Sequence, residues 1–529
     1  MLAWSKSFLT FSASLLTARM AAHLRRKNAA AAEQKKGFDL LTARLAATAF
    51  WRQAGIEAGM SYERFRARVS PRGYAQLAPA VERMKRGETD VLWPGRCVFF
   101  ATTSATTGGG AKFLPVTEEM LGHFRQAGLD SLLYYTARVG HAGVFRGRHL
   151  FVNGSTALTP LAEAKNGEAY AGDLAGITVL NLPSWAEKRH YEPGAAIDQI
   201  DDWVAKLQAI IARTSSRDIS LLAGIPNWVL MLAHAIRDKS SEGRRRITSL
   251  QGLWPNLECF VHGGLLIAPF QEQLRAVLGP TVKFHEVYPA AEGFIAAQDG
   301  ETSAGLRLMT DAGLFFEFLP MTDFDEARLE HLGQKVLPLA DVKPGVDYAL
   351  LVTTPGGLAR YPIGDVIRFV STEPPRLIHV GRTQLQLAAF GERVSEREAT
   401  EALLAVCNRQ GWTIVNFHVA PQTAGTFIRQ SRGGHEWWIE LKPGTLATPT
   451  SPQIAHALDV ELHRINPLYA ARRQAGVLEP PNVRLVMPGV FEHWMRYRGK
   501  WGGQHKMPRC RSDRLVADEL AQVTNFARD

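Results

Sequence analysis

The sequence predicts a two-domain α/β protein, with a large N-terminal domain of sheets and helices followed by a small α+β domain. Three observations lead there. The chain has 529 residues, more than one hydrophobic core organises, so at least two domains are expected. Short β-prone runs alternate with stretches of helical periodicity from Cys97 to Val380, which is the pattern of an α/β architecture. A break follows, in which Thr372-Glu373-Pro374-Pro375 and a short strand lead into Gly381, and the remainder has the size of an ordinary small domain. Hydrophobic residues at 46% and charged residues at 21% exclude a disordered or fibrous chain.

Residues 1–33 read as a leader, poorly ordered or helical. Phe8 to Ala18 is mildly apolar after Lys6, and Ala29 to Ala32 is of low complexity. A weak signal peptide is the alternative reading there. Residues 34–380 form the first domain. It begins with a helix from Gly37 to Gly55, where Phe38, Leu41, Leu45 and Ala49 recur at helical spacing. Trp93-Pro94-Gly95 is a turn, and Cys97 to Ala101 is a buried strand. Helices are expected over Glu118–Tyr135, Ile197–Ala212, Trp228–Arg237 and Ala268–Leu278, and strands over Val282–Tyr288, Leu314–Phe318 and Tyr348–Thr353. Residues 381–395 read as a hinge. Residues 396–529 form the second, mobile lid domain, with helices near Glu396–Asn408 and Ile454–Ile465 and strands near Trp412–Val419 and Trp437–Leu441.

The net charge of +10 raises nucleic acid or an anionic membrane as partners. Only Arg244-Arg245-Arg246 and His23-Leu24-Arg25-Arg26-Lys27 cluster, and no aromatic residues interleave them. Neither partner is therefore expected. Cys97, Cys259, Cys407 and Cys510 lie far apart, which argues against a zinc site or disulfide framework and for a reducing, cytoplasmic compartment. No apolar run reaches the ~20 residues of a spanning helix. The sequence gives no oligomeric state.

Five motifs carry chemistry. Thr103-Ser104-Ala105-Thr106-Thr107-Gly108-Gly109-Gly110-Ala111-Lys112 follows the Cys97 strand. Hydroxyls donate to phosphate oxygens, glycines let backbone N–H groups approach an anion, and lysine adds a point charge. The run fits neither the Walker nor the Rossmann spacing, and taken alone it suits a flexible surface loop better. Tyr288-Pro289-Ala290-Ala291-Glu292 ends the Val282 strand, where open α/β sheets hold ligands. Tyr288 offers a face for a planar ring and Glu292 a carboxylate for Mg²⁺; a half-buried Tyr and a surface Glu are the plain alternative. Tyr361-Pro362-Ile363-Gly364-Asp365-Val366 presents a carboxylate after a glycine turn. Gly381-Arg382-Thr383-Gln384, with Phe390-Gly391-Glu392, is hinge-like or an ordinary hairpin. Gln504-His505-Lys506-Met507-Pro508-Arg509-Cys510 sets a lysine in a glycine-rich stretch near the end of the chain.

In this order, over residues 34–515, the five motifs resemble the adenylate-forming superfamily. Within it they are most similar to the plant acyl-acid amido synthetases of the Gretchen Hagen family and their bacterial relatives. Those carry S-S-G-T-S-A-G-E-R-K where this chain has TSATTGGGAK. They carry Y-A-S-S-E where it has YPAAE, Y-R-V-G-D-V where it has YPIGDV, and Q-Y-K-x-P-R-C where it has QHKMPRC. Their I-W-P-N-x-K before V-T-G matches Leu253–Glu258 before Val261-His262-Gly263. The resemblance implies the adenylate-forming enzyme fold and a ligase that uses ATP and Mg²⁺. An acid would be adenylated with release of pyrophosphate, then transferred to an amine such as an amino acid. It places Thr103, Ser104, Thr106, Thr107, Gly108 and Lys112 on the phosphates and Tyr288 on adenine. Glu292 would hold Mg²⁺ with a catalytic role, Asp365 and Arg382 the ribose, and Lys506 would act in adenylation. The acyl-acid pocket is expected around Trp228, His262, Gly263 and Gly264. Ala105, Ala290 and Ala291 depart from the family pattern, as does Gln384 from the superfamily's hinge Asp. Transfer to coenzyme A and a degenerate, nucleotide-binding protein are the competing readings.

Overall fold

The structure, a computed structural model, describes residues 6–26, 28–103, 111–152, 154–161, 168–200, 202–241, 247–264, 267–383, 387, 392, 394–423, 433–442, 449–498, 507–511 and 513–526. The chain divides into two units. The first is Met1–Ile363 with Arg368–Ile378, and the second is Gly364–Ile367 with His379–Asp529. The chain therefore enters the second unit briefly at Gly364 and finally at His379, two residues before Gly381.

The strands are β1 Phe99–Thr103, β2 Lys112–Val116, β3 Arg148–Val152, β4 Thr159–Pro160, β5 Tyr170–Gly172, β6 Tyr191–Glu192, β7 Ile219–Gly224, β8 Cys259–Gly263, β9 Lys283–Ala290, β10 Gly293–Ala297, β11 Leu306–Leu308, β12 Phe315–Pro320, β13 Leu337–Pro338, β14 Asp347–Thr353, β15 Tyr361–Thr372, β16 Pro375–Arg382, β17 Ile414–Thr423, β18 Gly433–Leu441 and β19 Asn482–Leu485. They form a small sheet β2-β1-β5-β4, a long sheet β13-β12-β14-β15-β16-β11-β10-β9-β8-β7-β3-β6, and a sheet β17-β18-β19. In the long sheet β3, β7, β8 and β9 run parallel, and β10 turns back antiparallel on β9.

The parallel strands are apolar on both faces because both are covered, as such sheets require. Leu222 and Phe260 pack with Ile210, Val229, Trp254 and Leu274 from the helices on one side. Leu221 and Cys259 pack with Tyr135 and Val144 on the other. The Glu118–Val139 helix supplies that second face. It starts where the Thr117 side chain accepts from the Met120 N–H, and it ends at Gly140 with φ 82°.

Two predicted helices are each split by a capping residue. Thr48 accepts from the Trp51 N–H, so the 37–55 stretch becomes Ala30–Leu45 and Ala49–Gln53. Asp202 caps Trp203–Thr214, which detaches the single turn Ala195–Asp198 from the helix expected over 197–212. Short polar side chains at these points satisfy free helical N–H groups better than continued helix would. In the leader, Lys6–Leu24 is a helix. Its Thr17 hydroxyl bonds that of Thr136 at 2.9 Å, and Met20 and Leu24 pack beside Tyr134, Val287 and Met309.

In the second unit the Glu396–Gln410 helix opens on a capping box between Ser395 and Glu398. It packs with the Ser451–Ile465 helix over Phe417, Trp437 and Ile439 of the small sheet. All four cysteines are free and buried. Among the described residues no helix is long and apolar enough to cross a membrane.

Candidate active site

The two ends of the hydroxyl- and glycine-rich stretch meet. β1 and β2 pair antiparallel with Thr103 opposite Lys112, and Thr102 donates to the Gly172 carbonyl at 3.1 Å. The Lys112 ammonium lies 6.0 Å from the Tyr74 ring centre, and the Tyr74 hydroxyl accepts from the Phe113 N–H. Ser104, Thr106, Thr107 and Gly108 lie outside the described residues.

The second motif sits where the sequence analysis expects it, at the carboxyl edge of the parallel strands. In register, Gly263 of β8 stands opposite Val287 of β9, one residue before Tyr288. A Cβ on Gly263 would lie 2.3 Å from the Val287 carbonyl oxygen, so only glycine lets the two strands approach this closely. Gly264 follows with φ 73°, the left-handed region that glycine enters without cost. Tyr288 is buried at 7% exposure. Ala290 pairs with Gly293, which leaves Ala291-Glu292 as a two-residue turn with Glu292 half-buried. The sheet thus brings Gly263, Gly264, Tyr288 and Glu292 to one edge.

The acyl-pocket residues separate. Trp228 fills the core, 5.0 Å from the Trp203 ring. His262 lines a cavity of ≈ 1410 Å³ that Arg138, Arg275, Asp218 and Glu258 also border, and that Trp228 does not. Its ring lies against Phe260 and Phe284. Burial pushes the imidazole down to about 3, so it is neutral at physiological pH, and its buried Nδ1 makes no hydrogen bond.

The third and fourth motifs meet within the second unit. Arg382 Nη1 donates to Asp365 Oδ1 at 2.7 Å, and the Asp365 side chain is 6% exposed. Gly364 has φ 85°, and a Cβ there would stand 3.1 Å from Arg382 Nη2. The glycine therefore serves both the backbone turn and the guanidinium lying over it. His379 Nε2, 3.6 Å from the same Asp365 oxygen, is a neighbour the motif reading missed; it lies on β16 and no motif marks it.

Lys506 lies outside the described residues, but the chain that follows it is anchored. Cys510 bridges to Val419 of β17, Val419 N–H donates to the Arg509 carbonyl at 2.7 Å, and His418 Nδ1 lies 2.6 Å from the Pro508 carbonyl.

Three GH3 family models match the chain: the N-terminal domain at residues 22–283, the central domain at 307–382 and the C-terminal domain at 397–515. The chain belongs to the GH3 family. Among its GH3 relatives, the indole-3-acetic acid-amido synthetase GH3.8 of Oryza sativa subsp. indica is 25% identical over 90% of this chain and 88% of its own. The indole-3-acetic acid-amido synthetase GH3.3 of Arabidopsis thaliana is 22% identical over 90% and 89%. Among solved structures, AtGH3.15 acyl acid amido synthetase in complex with 2,4-DB matches with a TM-score of 0.76 at 18% identity, over 99% of this chain and 97% of that one. That likeness establishes the GH3 fold, the mixed α/β architecture that the sequence predicts.

Proposed function

We propose that this GH3 protein is an ATP-dependent, AMP-forming ligase that adenylates a carboxylic acid and passes the acyl group to an amine, an amino acid by preference. One observation carries the reading: the glycine pair Gly263-Gly264 and the Tyr288–Glu292 turn converge at the carboxyl edge of a parallel sheet, where α/β folds hold nucleotides. The relatives named as amido synthetases support the acceptor assignment.

In this reading Tyr288 faces adenine, Asp365 accepts the ribose hydroxyls, and the Thr103–Lys112 stretch receives the phosphates. Glu292 fits Mg²⁺, which takes one or two carboxylates and otherwise water and phosphate oxygens; bound there, the ion neutralises charge on the phosphates. The substrate carboxylate attacks the α-phosphorus, pyrophosphate leaves, and the acyl-AMP then acylates the amine with loss of AMP. Positioning and charge neutralisation supply most of the rate. Lys506 serves the first half-reaction, and residues 381–395 move the second unit between the two. The protein works in the cytoplasm on small molecules.

The test is pyrophosphate release from Mg·ATP across a panel of carboxylic acids, with and without pooled amino acids or coenzyme A. Release that requires an acid and rises with amino acids, with an amide conjugate in the mass spectrum, is the expected result. Stimulation by coenzyme A alone reassigns the acceptor. Lys506→Ala is expected to abolish release while ATP still binds.

A further inference from the structure

We propose that His123 is a positioning residue for the nucleotide site, the link that holds the Glu292 turn to the helix that follows β2. The inference rests on the assignment of Glu292 and Tyr288 to ATP made above.

His123 is buried in the Glu118–Val139 helix, and its ring ties together three elements. Nδ1 lies 2.6 Å from the Ala312 carbonyl oxygen, and Nε2 lies 2.8 Å from the Phe294 amide nitrogen. A carbonyl only accepts and a backbone N–H only donates, so one tautomer satisfies both: the proton on Nδ1 and the lone pair on Nε2. The ring is therefore neutral and fully used. Burial, which pushes the imidazole down to about 4, agrees.

The atom held is two residues beyond Glu292. Phe294 of β10 stands opposite Pro289 of β9, and the ladder is irregular between Phe294 and Ala296. The same turn is gripped from the other side, because a Cβ on Gly293 would lie 2.5 Å from Leu314 Cδ1 and 3.4 Å from His123 Nε2. Ala312 and Leu314 lead into β12. The imidazole thus fixes the base of the Ala291-Glu292 turn against helix and strand together.

The N-terminal end of that helix, where His123 lies, joins the second half of the site. β2 starts at Lys112 and ends at Val116, and the helix begins two residues later. Thr117, between them, donates its hydroxyl to the Pro355 carbonyl at 2.7 Å. Less than two helical turns separate Glu118 from His123, so one short rigid segment sets the distance between Lys112 and Glu292. Any buried imidazole needs both nitrogens bonded; what singles out His123 is that its two partners, Ala312 and Phe294, lie on the segments flanking this turn.

The test separates the two hydrogen bonds. In His123→Asn the shorter amide reaches the Ala312 carbonyl but not the Phe294 N–H. In His123→Gln the amide oxygen reaches Phe294. Both are made in the full chain, with Glu292→Gln as the control. Thermal midpoint, KM for ATP and KM for the acid are read from pyrophosphate release. The expected result is a KM for ATP raised about tenfold in His123→Asn, the loss of one positioning hydrogen bond. The KM for the acid stays unchanged, and His123→Gln stays within about twofold of wild type. A folded His123→Asn with unchanged KM for ATP, while Glu292→Gln slows release, overturns the role of His123 alone. A Glu292→Gln variant as active as wild type overturns the site assignment and this inference with it. Should His123→Asn fail to fold, His123→Gln decides: a tenfold rise in its KM for ATP overturns the proposal, and a lowered midpoint with near-normal KM supports it.

Discussion

At the scale of single residues, Arg360 and Gly364 show how closely the strand bearing Asp365 is specified. Arg360 is wholly buried, yet its guanidinium makes four hydrogen bonds and one further ion-pair contact. Nε and Nη2 reach the Glu317 carboxylate at 3.1 and 2.9 Å, Nη1 reaches the Arg66 and Val69 carbonyls, and Nη2 also reaches Gly333. Tyr62 adds a hydroxyl to the same carboxylate at 3.0 Å. Truncating one partner of such a pair strands the other charge. Arg360→Ala should therefore cost about 3–5 kcal/mol in urea unfolding, and a loss below ~1 kcal/mol would mean that Glu317 finds another partner or a proton. Gly364→Ala acts differently. It asks an alanine to take φ 85° and pushes on Arg382, so the expected outcome is weaker ATP binding by calorimetry together with a melting temperature lowered by a few degrees, through strain of ~1 kcal/mol or more. Asp365 and Arg382 were legible in the sequence because each lies in a short contiguous motif. His123 was not, because its partner Phe294 is 171 positions away and no local pattern marks it. In sequence, a tryptophan at the start of a helix reads the same whether its ring lines a pocket or packs in the core on Trp203, as Trp228 does.

Among the elements, those with strong periodicity and clear caps were read nearly to their ends. Examples are the helix beginning at Glu118, the helix beginning at Glu396, and the apolar strands at Asp347 and Phe315. The order of the long sheet was not legible, because register between strands far apart in sequence depends on packing rather than on local composition. The leader is the instructive element. Its apolar residues follow no single face, so periodicity left it between a disordered tail and a helix. The neighbouring helix decides the matter by offering Thr136 to Thr17 and a groove to Met20 and Leu24. Arg307 closes the end by donating to the Leu24 carbonyl at 3.0 Å. Deleting residues 1–24 should then remove about 2–4 kcal/mol of apolar burial. Val287 shares that cluster and precedes Tyr288, so the KM for ATP should rise as well. A truncated protein with an unchanged melting temperature would show that the helix adds no net stability.

For the whole molecule, the buried histidines His123, His149, His262, His285 and His418 set the response to acid. Burial lowers His123 and His418 to about 4, and His149, His262 and His285 to about 3, all from an ordinary value near 6.5. In His149 the neighbouring His190 ring and the Arg148 guanidinium add to the burial. A histidine whose folded value is depressed stays neutral in the native chain while the unfolded chain takes up a proton. Above pH ~6.5 neither state is protonated and the groups contribute no slope. As pH falls from there toward ~4, the unfolded state binds more protons and stability drops, by about 1.4 kcal/mol per pH unit for each group fully engaged. Asp459, held below its ordinary value by Arg473 and Tyr469 against its own burial, keeps its ion pair through this window and gives it up only at more acid pH, below ~3.9. The net charge, already +10, grows with each proton and adds self-repulsion to the same trend. The melting temperature should therefore fall steadily between pH 7 and pH 5, before most carboxylates titrate. His262 offers a clean check, since it makes no hydrogen bond through Nδ1 and sits between two phenylalanines. His262→Leu should flatten the pH slope by about one proton while leaving the midpoint at pH 7.5 nearly unchanged. A wild-type melting temperature that stays level from pH 7 to pH 5 would mean that these histidines accept protons in place, through water in the cavity that His262 borders, and that the interior is wetter than its packing implies.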